Sequence, residues 1–338
     1  MLEQSKMRFG IIGYGRMGKV YRNVLSSMNI ELDFICDKVE SHTEKNVKHF
    51  LDYNEALSES KIDGLIISTH APSHYEILKT AIEREINYIV CEKPFTTSLK
   101  HADEIVEQLK TSKSRLVINY SRRFSNLYTN LKNDLFQKNI IGKPRSVIIT
   151  CGAGGLSAVG THFFDLCCFL LQNKVKSIYA NSVNRNWPNP RGKEFSDPGG
   201  YVLLNFENET RAYIDLGDDL GLKPLIEVVG EYGRILIDEQ NKTISVSSRS
   251  KEDRKKPMHL YVLPNPTIQN GTFNLEPMTE MITIMIQNLI SDSEILMPAK
   301  IAKEKVEIYS AIRKSFDTHN PVELPLKDEY YYKEFMVT

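Results

Sequence analysis

The sequence predicts an α/β chain: an N-terminal doubly wound parallel sheet followed by an α+β domain built on a largely antiparallel sheet. Three observations carry this. A glycine-rich turn joins a short apolar run to a helix-spaced run near the N-terminus. Short apolar runs then alternate with helical stretches as far as residue 120, which is the grammar of a parallel sheet with crossover helices. Beyond residue 120, successive strand-like runs are separated by hairpin-length gaps, the grammar of antiparallel pairing. The expected division is therefore 1–120 and 121–338, and 338 residues suit two domains of ordinary size.

Residues 7–12 form an apolar strand pattern, and Gly13-Tyr14-Gly15-Arg16-Met17-Gly18 follows directly. Residues 19–28 have helix spacing, with Val20, Val24 and Leu25 on one face. A second strand pattern, 30–36, ends at Asp37. This order is the dinucleotide-binding fingerprint in its required context, so the first domain reads as a Rossmann fold. Gly13 permits the tight turn, Gly15 lets the backbone approach a diphosphate, and Gly18 lets the helix pack closely. Tyr14, Arg16 and Met17 share that turn, and the helix start offers unpaired N–H groups to an anion. Asp37 stands 19 residues beyond Gly18, the usual offset for an acid on the adenosine ribose. A carboxylate there repels the extra phosphate of NADP, so NAD is the expected cofactor, while the neighbouring Lys38 leaves NADP open.

The alternation continues with a strand at 65–67, a helix at 73–84, a strand at 88–91, a helix at 98–110 and a strand at 116–119. Ligands of such sheets bind at the carboxyl ends of the strands. Thr69, His74, Glu92, Lys93 and Pro94 fall there and are further candidates for the cofactor site. His70 and His74 have the i,i+4 spacing of a metal pair, but Pro72 intervenes and no third ligand stands nearby, so no metal is expected.

In the second half a helix is expected at 125–138, a strand at 147–151 and a helix at 161–171. Strands follow at 175–183, 201–207, 210–216, 225–230, 234–238 and 243–248, with Asn208 and Glu209 as a hairpin turn. Two late helices are expected at 278–290 and 302–316.

Charge excludes more than it indicates. Lys plus Arg and Asp plus Glu both number 43, so no broad field draws nucleic acid or anionic lipid. No apolar run approaches the ~20 residues that span a bilayer, and the first residues lack a secretory layout. Five cysteines, an odd number without metal-binding spacing, suggest a reducing compartment, hence a cytoplasmic protein.

Four features, in order, resemble one known family. They are Gly13-x-Gly15-x-x-Gly18, Thr69 followed by His74, Glu92-Lys93-Pro94, and Gly160-Thr161-His162-Phe163-Phe164-Asp165. The family is that of glucose–fructose oxidoreductase, inositol dehydrogenase and the rhizopine catabolism proteins, Gfo/Idh/MocA. The resemblance extends to Ala311-Ile312-x-x-Ser315 and Val322-Glu323-Leu324-Pro325 near the end of the chain.

The resemblance implies an NAD(P)-dependent oxidoreductase that moves a hydride between nicotinamide and a secondary alcohol or ketone of a sugar, polyol or sugar nucleotide. It places Lys93 beside the reacting carbon and His162 in the cleft as general acid/base. Asp165, one helical turn beyond His162, would hold a substrate hydroxyl or orient the histidine. Pro94 would fix the chain turn, often through a cis peptide bond. The stretch Tyr120-Ser121-Arg122-Arg123-Phe124 would face the substrate, with Arg122 and Arg123 suited to a carboxylate or diphosphate. Trp187 would stack on a sugar face or pack a loop or a subunit interface. A homodimer or homotetramer through an open sheet face is also implied.

One position departs from the family pattern: Ala158 stands four residues before His162, where many catalytic members carry a carboxylate. Three consequences stay open. Lys93 and His162 suffice, another acid such as Asp165 or Asp197 compensates, or dehydrogenase chemistry is lost and a nucleotide-binding sensor remains. A fourth reading keeps the cofactor but uses it transiently, for elimination or glycoside cleavage.

Overall fold

The computed structural model describes residues 6–40, 44–152, 154–183, 189, 192–257, 259, 264–291 and 293–337. The first sheet contains β1 (Arg8–Ile12), β2 (Glu31–Cys36), β3 (Lys48–Phe50), β4 (Gly64–Ile67), β5 (Tyr88–Cys91) and β6 (Arg115–Ile118). All pair in parallel, in the order β3-β2-β1-β4-β5-β6. The order reverses at β1, so the connections leave it and β4 in opposite directions and open a crevice beyond the carboxyl ends.

These strands read as continuous apolar runs because helices cover both faces. Phe9, Ile11, Ile66 and Val90 are fully buried, each stabilising the fold by about 1.5–3 kcal/mol. Helix α1 (Arg16–Ser27) turns Tyr21, Val24 and Leu25 inward, the 3.6-residue spacing anticipated above. Helices α2 (Tyr53–Glu59), α3 (His74–Glu83) and α4 (Leu99–Leu109) complete the layer. The strand β3 and helix α2 have no counterpart in the sequence expectation. The strand is three residues long with one buried side chain, Phe50, too short for a periodic signal.

The second sheet contains β7 (Pro144–Thr150), β8 (Val175–Ser182), β9 (Gly200–Phe206), β10 (Arg211–Asp215), β11 (Leu225–Gly230), β12 (Gly233–Asp238), β13 (Thr243–Ser248), β14 (Thr267–Thr272) and β15 (Val322–Glu323). Their order is β14-β13-β12-β11-β7-β10-β9-β8-β15, antiparallel except where β10 runs parallel to β7. Alternation sets its two faces. Val202, Leu204, Ala212, Ile214, Ile226 and Val228 point inward and are fully buried. Helices α5 (Asn126–Phe136), α6 (Thr161–Leu171), α7 (Met278–Ile290) and α8 (Ala299–Thr318) follow.

The late helices tie the two sheets together. The Ile118 N–H donates to Met297 O at 3.2 Å, and Arg115 donates to Leu289 O and Ser293 O. The end of α7 and the residues before α8 thus pack back onto β6, and the carboxyl edge of the parallel sheet faces the turn before α6. Among the described residues, no helix is long and apolar enough to cross a membrane.

Candidate active site

The glycine turn is shaped partly by its own packing and partly by something outside it. Gly13 has φ +89°, and a Cβ there would meet the Ser68 backbone at 2.7 Å. A Cβ on Gly18 would meet Gly13 O at 2.3 Å, so both glycines serve the fold itself. Gly15 differs: a Cβ there would meet nothing within 4 Å. The space above Gly15 is open at the N-terminus of α1, which has no side-chain cap and no acidic residue in its first turn. That cradle fits a diphosphate, with exposed Arg16 and half-buried Met17 at its rim.

Asp37 ends β2 beside this turn. Its Oδ2 accepts the Tyr14 N–H at 2.5 Å and its Oδ1 the Val39 N–H at 2.8 Å, so the carboxylate is oriented before any ligand arrives. Glu44 lies close by, accepting from the Tyr14 hydroxyl and from Arg22 Nε at 2.7 Å. The Asp37 carboxylate opposes a further phosphate and favours NAD, while the charge of Glu44 is balanced by Arg22. The Tyr14 side chain is correspondingly buried and spent on Glu44, so any cofactor contact at this residue is made by backbone.

At the ends of β4 and β5, His74 is fully buried, and its ring nitrogens lie 2.9 Å from Pro94 O and 3.0 Å from Thr69 O. Burial holds its pKa below the ordinary value against those hydrogen bonds. His74 therefore pins the two corner segments together and does not itself reach the cleft. The two histidines do not form a metal pair, because His70 is exposed and packs edge-on to Phe195. Glu92 is also turned inward: its Oε1 accepts from Tyr21 Oη at 2.7 Å and Asn119 Nδ2 at 2.8 Å, joining α1, β5 and β6. The His74 ring and Glu92 Oε1, expected at the cofactor site, are thus engaged within the first domain. The Lys93–Pro94 peptide is cis, and half-buried Lys93 reaches across to the second domain, donating from Nζ to Ala158 O at 2.7 Å.

The facing wall is the start of α6, preceded by a π-type turn at Leu156–Gly160. His162 is half-buried there, edge-on to the Tyr120 ring at 5.8 Å, and its Nδ1 is buried with no hydrogen-bond partner among the described residues. Burial, then the positive charges of Lys93 and Arg122, push its pKa well below the usual histidine value. A neutral imidazole beside an ammonium can accept a proton at neutral pH, while the ammonium stabilises negative charge on a substrate oxygen.

Four expected substrate contacts, Asp165, Arg123, Tyr120 and Arg122, are occupied internally. Asp165 is 1% exposed, and both of its oxygens accept from Arg123, Nε and Nη2, at 2.7 Å. The remaining Arg123 nitrogen donates to Leu296 O at 3.3 Å, so this pair is a buried strut rather than a ligand clamp. Tyr120 is buried, its hydroxyl 3.0 Å from Thr161 Oγ1, and it backs His162. Arg122 is paired with Glu239 and stacks over Phe163 at 4.6 Å, yet remains near enough to His162 to act on its charge. Trp187 lies outside the described residues. Sequence reasoning missed Glu239 as the partner of Arg122 and Glu44 as the partner of Tyr14 in the glycine turn. Neither belongs to a local motif, and both act across more than 20 residues of chain.

Residues 7–120 match a family described as oxidoreductase family, NAD-binding Rossmann fold, GFO_IDH_MocA. Myo-inositol 2-dehydrogenase of Thermotoga maritima is 24% identical over 273 residues, 73% of this chain and 80% of that protein. An oxidoreductase from Agrobacterium radiobacter, solved with NAD+, L-tartaric acid and magnesium, superposes with TM-score 0.78 at 17% identity, covering 94% of this chain and 98% of that one. The WlbA dehydrogenase of Bordetella pertussis, solved with NADH and UDP-GlcNAcA, superposes with TM-score 0.73 at 18% identity, covering 95% and 100%.

Proposed function

We propose that this chain, an NAD-dependent oxidoreductase of the Gfo/Idh/MocA family by its residues 7–120, oxidises a secondary alcohol of a polyol, sugar or sugar nucleotide, or reduces the matching ketone. The observation that carries this is the bond from Lys93, at the β5 end, to the Ala158 carbonyl of the turn that leads into α6, which brings its charge to bear on His162. Bound NAD supplies the hydride acceptor. Lys93 holds the substrate oxygen, and His162 takes the hydroxyl proton on its ring. Gly15, the α1 N-terminus and Asp37 hold the dinucleotide. Relatives named for inositol and for a uridine-linked sugar support the polyol and sugar-nucleotide classes. Half-exposed Tyr201 and Tyr213 on the outer sheet face suit a homo-oligomer.

Calorimetric titration with NADH and NADPH tests the first half of this reading, and NAD+-dependent turnover of myo-inositol and UDP-linked sugars tests the second. Absence of NADH binding to the purified, nucleotide-free protein would end it. Two expected results follow from the geometry. Gly15→Ala should cost no more than about 1 kcal/mol of stability, a helix-cap effect. Its methyl enters the open cradle, so NADH affinity should fall by about tenfold or more, read by the same titration. In turnover, the acid limb of kcat/KM for alcohol oxidation should lie well below pH 6.5, because the base His162 resists protonation until then.

A further inference from the structure

The position of the missing family acid is not empty of charge. The Ala158 carbonyl holds Lys93, and Asp197, from the segment before β9, reaches the same turn from behind. Its Oδ1 accepts the Ser157 N–H at 2.6 Å and its Oδ2 the Ala158 N–H at 2.7 Å. The turn is built around that carboxylate. Gly155 has φ +70°, and a Cβ there would lie 2.2 Å from Asp197 Oδ2. A glycine is needed here both for the backbone and to leave the carboxylate its seat.

We propose that Asp197 is the positioning residue of the active site, holding the 157–158 turn so that the Ala158 carbonyl and the aspartate charge together orient the Lys93 ammonium. This rests on the reading of Lys93 given above. The backbone carbonyl takes over the hydrogen bond, and Asp197 takes over the charge, that a side chain at position 158 would otherwise supply. The charges of Lys93 and Arg313 both act on the carboxylate. Burial pushes its pKa up to about 6, against the hydrogen bonds of Ser157 and Ala158 and the charge of Lys93. It is therefore ionised at pH 7.5 and above.

The consequence is read on Lys93 without any substrate. Competitive acetylation with acetic anhydride, followed by mass spectrometry of the Lys93 peptide, gives the apparent pKa of its amine across pH 7–11. Losing a nearby opposite charge, together with the carbonyl that it holds in place, lowers the pKa of an ammonium by about one unit. In Asp197→Asn, and in Gly155→Ala where the methyl displaces the carboxylate, Lys93 should therefore label about tenfold faster at pH 8, through a lowered pKa. Lys174 and Lys300, remote from the turn, serve as internal standards. Unchanged Lys93 titration in both folded variants would overturn the proposal. So would loss of the cooperative melt in both, which would make Asp197 a folding element. Failure of the wild-type protein to bind NADH would instead strike the functional reading and leave the lysine titration standing as measured.

Discussion

Asp165→Asn is expected to destabilise the protein by about 3–5 kcal/mol, the usual cost of removing one partner of a buried ion pair. The reason lies in what remains. Arg123 keeps its charge while the group that receives two of its three hydrogen bonds becomes neutral, in a site where the arginine side chain is 10% exposed. Lys305 is fully buried in the same region. Among the described residues its Nζ has no hydrogen-bond partner, and its ion-pair partner is Glu304 at 3.5 Å. The substitution thus leaves two buried cations with less anionic charge between them. Urea denaturation at pH 7.5 gives the number. The double change Arg123→Met with Asp165→Leu removes both charges and should recover part of the loss, since a buried pair replaced by apolar groups is often near neutral. A loss below about 1 kcal/mol for Asp165→Asn would show the pair to be dispensable, and would reopen Asp165 as a group facing substrate.

That strut also marks where sequence reasoning ran out. The parallel sheet was legible because each of its long strands is an apolar run and each helix keeps its spacing. The glycine turn was legible because three backbone constraints fall within six residues in a fixed order. Lys93 and His162 became legible as a pair only through resemblance, since nothing local distinguishes Lys93 from a surface lysine. Partnerships were the hidden part. Arg123 and Asp165 look like two ligands for a substrate when read along the chain, and they neutralise each other once α6 folds across the 121–124 turn. Glu92 and His74 look like cleft residues because they flank the strand ends, yet their side chains point into the domain. A readable signal was overlooked at α2, where Asp52 caps the helix by accepting from Asn54 and Glu55, and Glu55 completes an Asp-x-x-Glu start.

Lys93→Met should lower turnover by about 10²–10³-fold, the effect of deleting one preorganised donor to a developing oxyanion. NADH affinity should change by less than about tenfold, because the diphosphate cradle at Gly15 is untouched. The pH profile carries the sharper test. The Lys93 charge helps to depress His162, so its removal should raise the histidine pKa and move the acid limb of kcat/KM toward neutrality. A lysine that merely filled space would lower turnover without moving that limb. His162→Gln should remove the limb altogether, leaving slow turnover driven by hydroxide. Because one group holds the oxygen whose proton the other removes, the double variant should be little slower than the worse single one. Fully multiplicative losses would mean that the two residues act on separate steps, and the cleft would then need a different assignment of its base.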